Sequence, residues 1–152
     1  STPVGEMNVV KKMKEVSSIV GGEGGGGIIY PELHYGRDAL VGIALFLALL
    51  VDKKCKVSKL KGQYSEYFMK KIKITLEDSN LIDRSFKVIA ENYSELSPNT
   101  EDGVRIDFED AWVHMRKSNT EPIIRIFAEA NSQDIADSYA LKIEKEIKSI
   151  SA

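Results

Sequence analysis

The sequence predicts two α/β layers in tandem: a truncated α/β domain over residues 1–64, then an α+β domain over residues 65–152 with a four-stranded, largely antiparallel sheet in the order β-α-β-β-β-α. Three observations carry this. A helix apolar on nearly every side, Ala39 to Val51, follows two short strand-like runs around a glycine-rich segment, as in a layer whose sheet is well covered. Beyond residue 65 the pattern changes to strict apolar alternation, the mark of half-buried strands. The chain then closes on a Lys- and Glu-rich helix with one apolar face, which can lie over such a sheet.

In chain order, Val9, Met13 and Val16 recur at helical spacing, with Thr2 placed to cap that helix and Pro3 at its first position. Ser17 to Val20 and Ile28 to Tyr30 are short strand-like runs. Asp38 is an N-cap for the apolar helix, which is expected to be buried and is well short of the roughly 20 residues that a membrane span needs. Lys53, Lys54, Lys56, Lys59 and Lys61 read as a solvated helix end, and the Tyr64, Tyr67 and Phe68 cluster marks the domain boundary. Ile72, Ile74 and Leu76 alternate as a strand, and Ile82, Phe86, Ile89 and Tyr93 return to helical spacing. Val104, Ile106 and Phe108, then Ala111, Val113 and Met115, then Ile124, Ile126 and Ala128 give three further strands, and hence two hairpins. Ile135, Tyr139, Ile143, Ile147 and Ile150 share one face of the last helix.

Composition limits the function classes. The 152 residues are 43% hydrophobic and 29% charged, with a formal net charge of −2, so bulk electrostatics draw the chain neither to nucleic acid nor to an anionic membrane. Any anion site must be local. The single cysteine, Cys55, excludes a disulfide within the chain and fits a reducing compartment.

Two segments could carry chemistry. In Val20 to Ile28, "VGGEGGGGI", six of the eleven glycines crowd around Glu23. Apolar residues flank the segment directly, so it joins two strands of one core rather than forming a solvated linker. Glycines there let backbone amides face a ligand, and a lone carboxylate accepts hydrogen bonds from sugar hydroxyls; a plain tight connection is the alternative. The segment lacks the Gly-Lys-Ser/Thr end of a phosphate loop and does not open into a helix as a dinucleotide loop does. The second segment, "HMRKSNTEPIIRIF", puts Arg116, Ser118, Asn119 and Thr120 between two strands, with Arg125 on the second of them. Paired guanidinium donors, hydroxyls and turn amides suit phosphate, and an ordinary polar hairpin tip is the alternative. His114 has no carboxylate or second histidine spaced to make a zinc site with it. His34, Tyr35 and Arg37, ahead of Asp38, fit either a site wall or packing against other domains.

The stretches "GGEGGGGIIYPELHYGRDALVGIALFLALL" and "WVHMRKSNTEPIIRIFAEA" closely resemble the third and fourth domains of the α-D-phosphohexomutases, which include phosphoglucomutases, phosphomannomutases and phosphoglucosamine mutases. The likeness begins at "TPVGEMNVVKKM" and reaches at least Ala130. It implies that Glu23 binds sugar hydroxyls and that Gly5, within "PVGE", faces the sugar with Glu6 beside it. Many members carry Ser and His two and four residues after the glutamate; here those loop positions are Gly25 and Gly27, which leaves the choice of sugar open. The family's phosphate loop, commonly Arg-Pro-Ser-Gly-Thr-Glu-Pro, matches Arg116 to Pro122, with Lys117 and Asn119 as departures and Arg125 as support.

The resemblance further implies a hexose phosphate substrate, a hexose 1,6-bisphosphate intermediate or activator, magnesium and a cytoplasmic location. The family's phosphorylated serine loop and its Asp-Gly-Asp-x-Asp-Arg metal loop do not occur in these 152 residues. Neither a catalytic nor a metal residue is therefore expected here. The expectation is a C-terminal part of such an enzyme, partnered by two N-terminal domains and inactive without them. A non-catalytic sugar-phosphate or protein-binding module is the alternative.

Overall fold

The computed structural model describes residues 2–75, 79–118 and 121–151. The chain divides into two compact units, Ser1–Tyr64 and Ser65–Ala152. It is a mixed α/β chain whose larger sheet is four-stranded and antiparallel. Among the described residues no helix is long and apolar enough to cross a membrane.

The first unit runs α1 (Glu6–Val16), β1 (Gly21–Gly22), β2 (Ile28–Tyr30), β3 (His34–Arg37), α2 (Ala39–Lys53) and α3 (Val57–Lys61). Its strands form an antiparallel sheet in the order β1-β2-β3. Successive residues of a strand face opposite sides, and β2 uses both: Ile29 is fully buried with Val9, Val10 and Met13 of α1, while Ile28 lies against Gly42 of α2.

Four expectations for this unit are corrected. Helix α1 starts at Glu6 and not at Pro3, because Gly5 sits at φ +124°, outside the helical region, and acts as the N-cap. Ser17 to Val20 is not a strand: Ser17 is the left-handed cap of α1, and pairing falls on the glycines, Gly21 with Ile29 and Gly22 with Ile28. The Lys-rich stretch holds a short helix of its own, α3. Helix α2 has no buried residue, and Leu40 is 78% exposed and Ile43 55%. A helix apolar all round needs cover on every side, and among the strands of this unit it packs chiefly on β2. The Asp38 cap is as expected, its Oδ1 accepting from the Val41 amide at 3.0 Å.

The second unit runs β4 (Phe68–Thr75), α4 (Ser79–Asn92), β5 (Val104–Asp107), β6 (Ala111–Lys117), β7 (Ile123–Ala130) and α5 (Gln133–Ser151), with a single 3-10 turn at Ser94–Leu96. The sheet order β4-β7-β6-β5 puts the strand read from Ile72 and Ile74 next to the last one, and it begins four residues earlier, at Phe68. Leu76 lies outside the described residues. One sheet face sends Ile74, Val104, Ile106, Val113, Met115, Ile124, Ile126 and Ala128 into a core closed by Ile82 and Ile89 of α4 and Ala140, Ile143 and Ile147 of α5. Both helices therefore cover the same face. The opposite face carries mainly charged and aromatic side chains, with the buried Ile123 among them, and it presents Arg116 and Arg125.

Candidate functional site

In the first unit, β1 is two glycines, which contribute backbone pairing but no side-chain packing, and the loop from it to β2 closes on itself. Glu23 N donates to Gly27 O at 3.2 Å, and Gly26 N donates to Glu23 O at 2.9 Å. The Glu23 carboxylate turns back toward the helix start, where Oε1 accepts from the Gly5 amide at 3.0 Å. Gly5 and Glu23, named separately from the sequence, are thus in direct contact. Glu23, Gly25 and Gly27 border a cavity of about 650 Å³ together with Pro3, Lys12 and Arg37.

Arg37 is the part that sequence reasoning left unassigned. Its Nε donates to Glu6 Oε2 at 2.8 Å, its amide donates to Glu6 Oε1 at 3.3 Å, and its Nη1 stands 3.9 Å from Glu23 Oε2. Glu6 is therefore engaged with the arginine and is not among the residues lining the cavity. His34, by contrast, serves the backbone. Gly36 N donates to its Nδ1 at 3.0 Å, so the ring proton is on Nε2, which donates to Asp38 Oδ2 at 3.1 Å. The Val41 amide, and after it His34, holds the Asp38 carboxyl below the usual carboxylate range.

In the second unit, the β6–β7 hairpin closes with Ser118 N donating to Ile123 O at 3.0 Å. Asn119 and Thr120 lie outside the described residues. The antiparallel register sets Arg116 opposite Arg125, and Arg125 opposite Lys73, so three cations form one row across three strands at the hairpin mouth. Like charges directly opposite each other oppose pairing unless an anion or a carboxylate lies between them. Asp102 answers one of them: its Oδ2 is 3.0 Å from Arg116 Nε, in an ion pair whose geometry is not that of an aligned hydrogen bond. Lys73 pairs with Glu121 at 3.4 Å. No carboxylate among the described residues pairs with Arg125.

Asp102 was not foreseen, although the Asp-Gly step directly before a strand is a legible turn signal. His114 donates from Nε2 to the Asp102 carbonyl, 2.6 Å away, and so has a structural use. The arrangement offers acceptor-rich, glycine-lined ground in one unit and a cationic row beside a polar turn in the other. Among the described residues no group of three or more histidine, cysteine, aspartate or glutamate side chains could hold a metal ion.

An antiparallel β-α-β-β-β-α unit with a basic hairpin, preceded by a unit with an acidic glycine loop, is the pairing expected from the resemblance to the third and fourth domains of α-D-phosphohexomutases. The family's alpha/beta/alpha domain III matches residues 1–67 and its C-terminal domain matches residues 54–146, and the chain belongs to the phosphoglucomutase/phosphomannomutase family. A phosphoglucosamine/phosphogalactosamine mutase of Sulfurisphaera tokodaii is 35% identical over 146 residues, 95% of this chain and 32% of the relative. A phosphoglucomutase/phosphomannomutase of Thermococcus kodakarensis is 36% identical, over 91% of this chain and 30% of its own length. The chain thus spans about a third of the length of the curated relatives it matches. In fold it is similar to a phosphoglucomutase/phosphomannomutase family protein of Burkholderia thailandensis, at TM-score 0.70 and 23% identity, covering 97% of this chain and 31% of that one. A second similar fold is an N-acetylglucosamine-phosphate mutase of the alpha-D-phosphohexomutase superfamily, at TM-score 0.58 and 13% identity over 95% of this chain and 33% of that one.

Proposed function

We propose that this chain is the substrate-recognition part of a cytoplasmic phosphohexomutase that interconverts hexose 1-phosphate and hexose 6-phosphate through a bisphosphorylated sugar. Glu23, with Gly5 and the open backbone at Gly25 and Gly27, takes the sugar hydroxyls. Arg116, Ser118, Asn119, Thr120 and Arg125 take whichever phosphate is not reacting. The observation that carries this reading is the in-register row Arg116, Arg125 and Lys73: Asp102 and Glu121 answer its two outer cations, and Arg125 between them has no carboxylate partner among the described residues, so a phosphate can complete the row. Holding the far end of the substrate suits an intermediate that must reverse its orientation between two phosphoryl transfers, since the reacting end is then located without being gripped.

The phosphorylated serine and the magnesium that neutralises charge in phosphoryl transfer belong, in this reading, to N-terminal domains partnering this chain. The described residues do not form a set that fits the ion, and the role this reading gives the chain is binding and orientation. The test joins the chain to such domains and follows magnesium-dependent conversion of hexose 1-phosphate. Activity is expected, with Arg116→Ala raising KM and lowering kcat by about 10-fold or more overall, as for a lost hydrogen bond to a charged group. Full activity in Arg116→Ala would remove the phosphate role from this hairpin.

A further inference from the structure

We propose that Arg37 is a sugar-site residue in its own right, one that positions Glu23 and presents a guanidinium beside it as the donor half of a hydroxyl-binding pair. The inference rests on the reading of the glycine loop as the sugar site. It begins with space. A Cβ added at Gly27 would stand 2.5 Å from Arg37 Cδ and 3.1 Å from Cγ, so the arginine stem lies directly over the glycine Cα. Gly24 and Gly25, in the same loop, have nothing within 4 Å of an added Cβ. Gly27 is thus the loop glycine whose missing side chain makes room for a neighbour reaching across from β3.

What that neighbour delivers follows from its contacts. Nε and the backbone amide of Arg37 are both committed to Glu6, which fixes the plane of the guanidinium from one side. From that anchored position Nη1 comes within 3.9 Å of Glu23 Oε2, while Glu23 Oε1 is held by the Gly5 amide. Each Glu23 oxygen therefore has a different neighbour, and the carboxylate is restrained at both ends. The 3.9 Å separation is longer than a hydrogen bond. A hydroxyl meeting both groups can accept from Nη1 and donate to Oε2 together. Two carboxylates around one guanidinium disfavour an anionic group there, whereas a hydroxyl, which both donates and accepts, can meet the Nη1 and Oε2 pair. Arg37 and Glu23 also line the same cavity.

The test is a set of four variants in the active multidomain protein: Glu23→Gln, Arg37→Ala, Gly27→Ala, and the Arg37→Ala/Gly27→Ala pair. The readouts are hexose phosphate affinity, with thermal melting as the control for folding. Arg37→Ala is expected to weaken hexose phosphate binding about 10- to 100-fold, the range for losing a hydrogen bond to a charged group. Gly27→Ala keeps Arg37 but pushes its flexible stem aside, so it should weaken binding in the same sense with little change in melting. The double variant should bind no worse than Arg37→Ala alone, because the second change then displaces nothing. If Glu23→Gln weakens binding while Arg37→Ala and Gly27→Ala leave it unchanged, the Arg37 proposal is overturned and the glycine-loop reading stands. If Glu23→Gln also has no effect, the glycine loop is not the sugar site and both fall. Fully additive losses from Gly27→Ala and Arg37→Ala would likewise overturn the shared mechanism.

Discussion

Gly103→Ala probes the turn that brings Asp102 to Arg116. Gly103 has φ +80°, a conformation that costs an L-residue roughly 1–2 kcal/mol. Steric overlap costs more: an added Cβ would run into the Met115 carbonyl oxygen and stand 3.2 Å from Arg116 Cα, both of them backbone on the neighbouring strand β6. No rotamer change relieves that overlap. Relief requires β5 and β6 to separate where Val104 pairs with Met115, and both of those side chains are in the core. Forcing atoms into a packed region costs about 1–3 kcal/mol, so the sum is roughly 2–5 kcal/mol. Trp112 is the single tryptophan and sits on β6 opposite Asp107, so its fluorescence reports on this unit. With m about 1 kcal/mol/M in urea, the Gly103→Ala midpoint should fall by about 2 M or more. Gly103→Asn distinguishes backbone strain from overlap, since asparagine tolerates positive φ but has the same Cβ. It should be about as damaging as alanine. A Gly103→Ala midpoint equal to the parent's would refute the steric argument, and an asparagine variant restored to the parent's midpoint would move the whole cost to the backbone angle.

Two further outcomes are expected. Tyr93→Phe removes a hydroxyl that donates to Glu146 Oε1 at 2.8 Å, beside an edge-on contact with Phe108, and should lower the stability read from Trp112 by about 1 kcal/mol at neutral pH. Burial, and after it the Glu146 carboxylate, raises the Tyr93 pKa. The tyrosine's contribution is therefore complete below its unfolded value of about 10 and is lost as pH rises further, so the gap to Tyr93→Phe should close only in strong alkali. Asp38→Asn keeps an N-cap acceptor for Val41 but removes the charge. Because the folded carboxyl titrates below its unfolded value of about 4, its contribution is present above that pH and is lost as pH falls through the folded value. The helical circular dichroism signal of the parent should thus outlast that of the variant at neutral pH, and the two should converge in acid; a constant gap down to the lowest pH would contradict the assigned role of the charge.

How much was legible in the sequence differs between the units for a physical reason. In the second unit the side chains that build the core alternate with period two, and Ile124, Ile126 and Ala128 meet Ile74, Ile72 and Lys70 in the pairing that the alternation implies. Hydrophobic burial wrote that pattern, so hydropathy reads it back. Reading Arg116 and Arg125 as cross-strand partners required one thing more, the length of the hairpin between them, which composition does not encode. In the first unit the strands are held by backbone bonds with few side chains behind them, so Gly21–Gly22 paired without any hydrophobic signal, and His34–Arg37 showed no alternation. The register there shifts between Ile29, which faces Arg37, and Tyr30, which faces His34, so Tyr35 and Gly36 are accommodated as an irregularity. With the regular ladder broken there, the placement of Arg37 is not read off β3 by counting from His34. It is fixed by bonds between distant parts of the chain, Asp38 N to Ile28 O at 2.8 Å and the Arg37 amide to Glu6. Glu23 could therefore be found as the lone acid among glycines, whereas the residue set over Gly27 could be found only once the strand that carries it had been folded back.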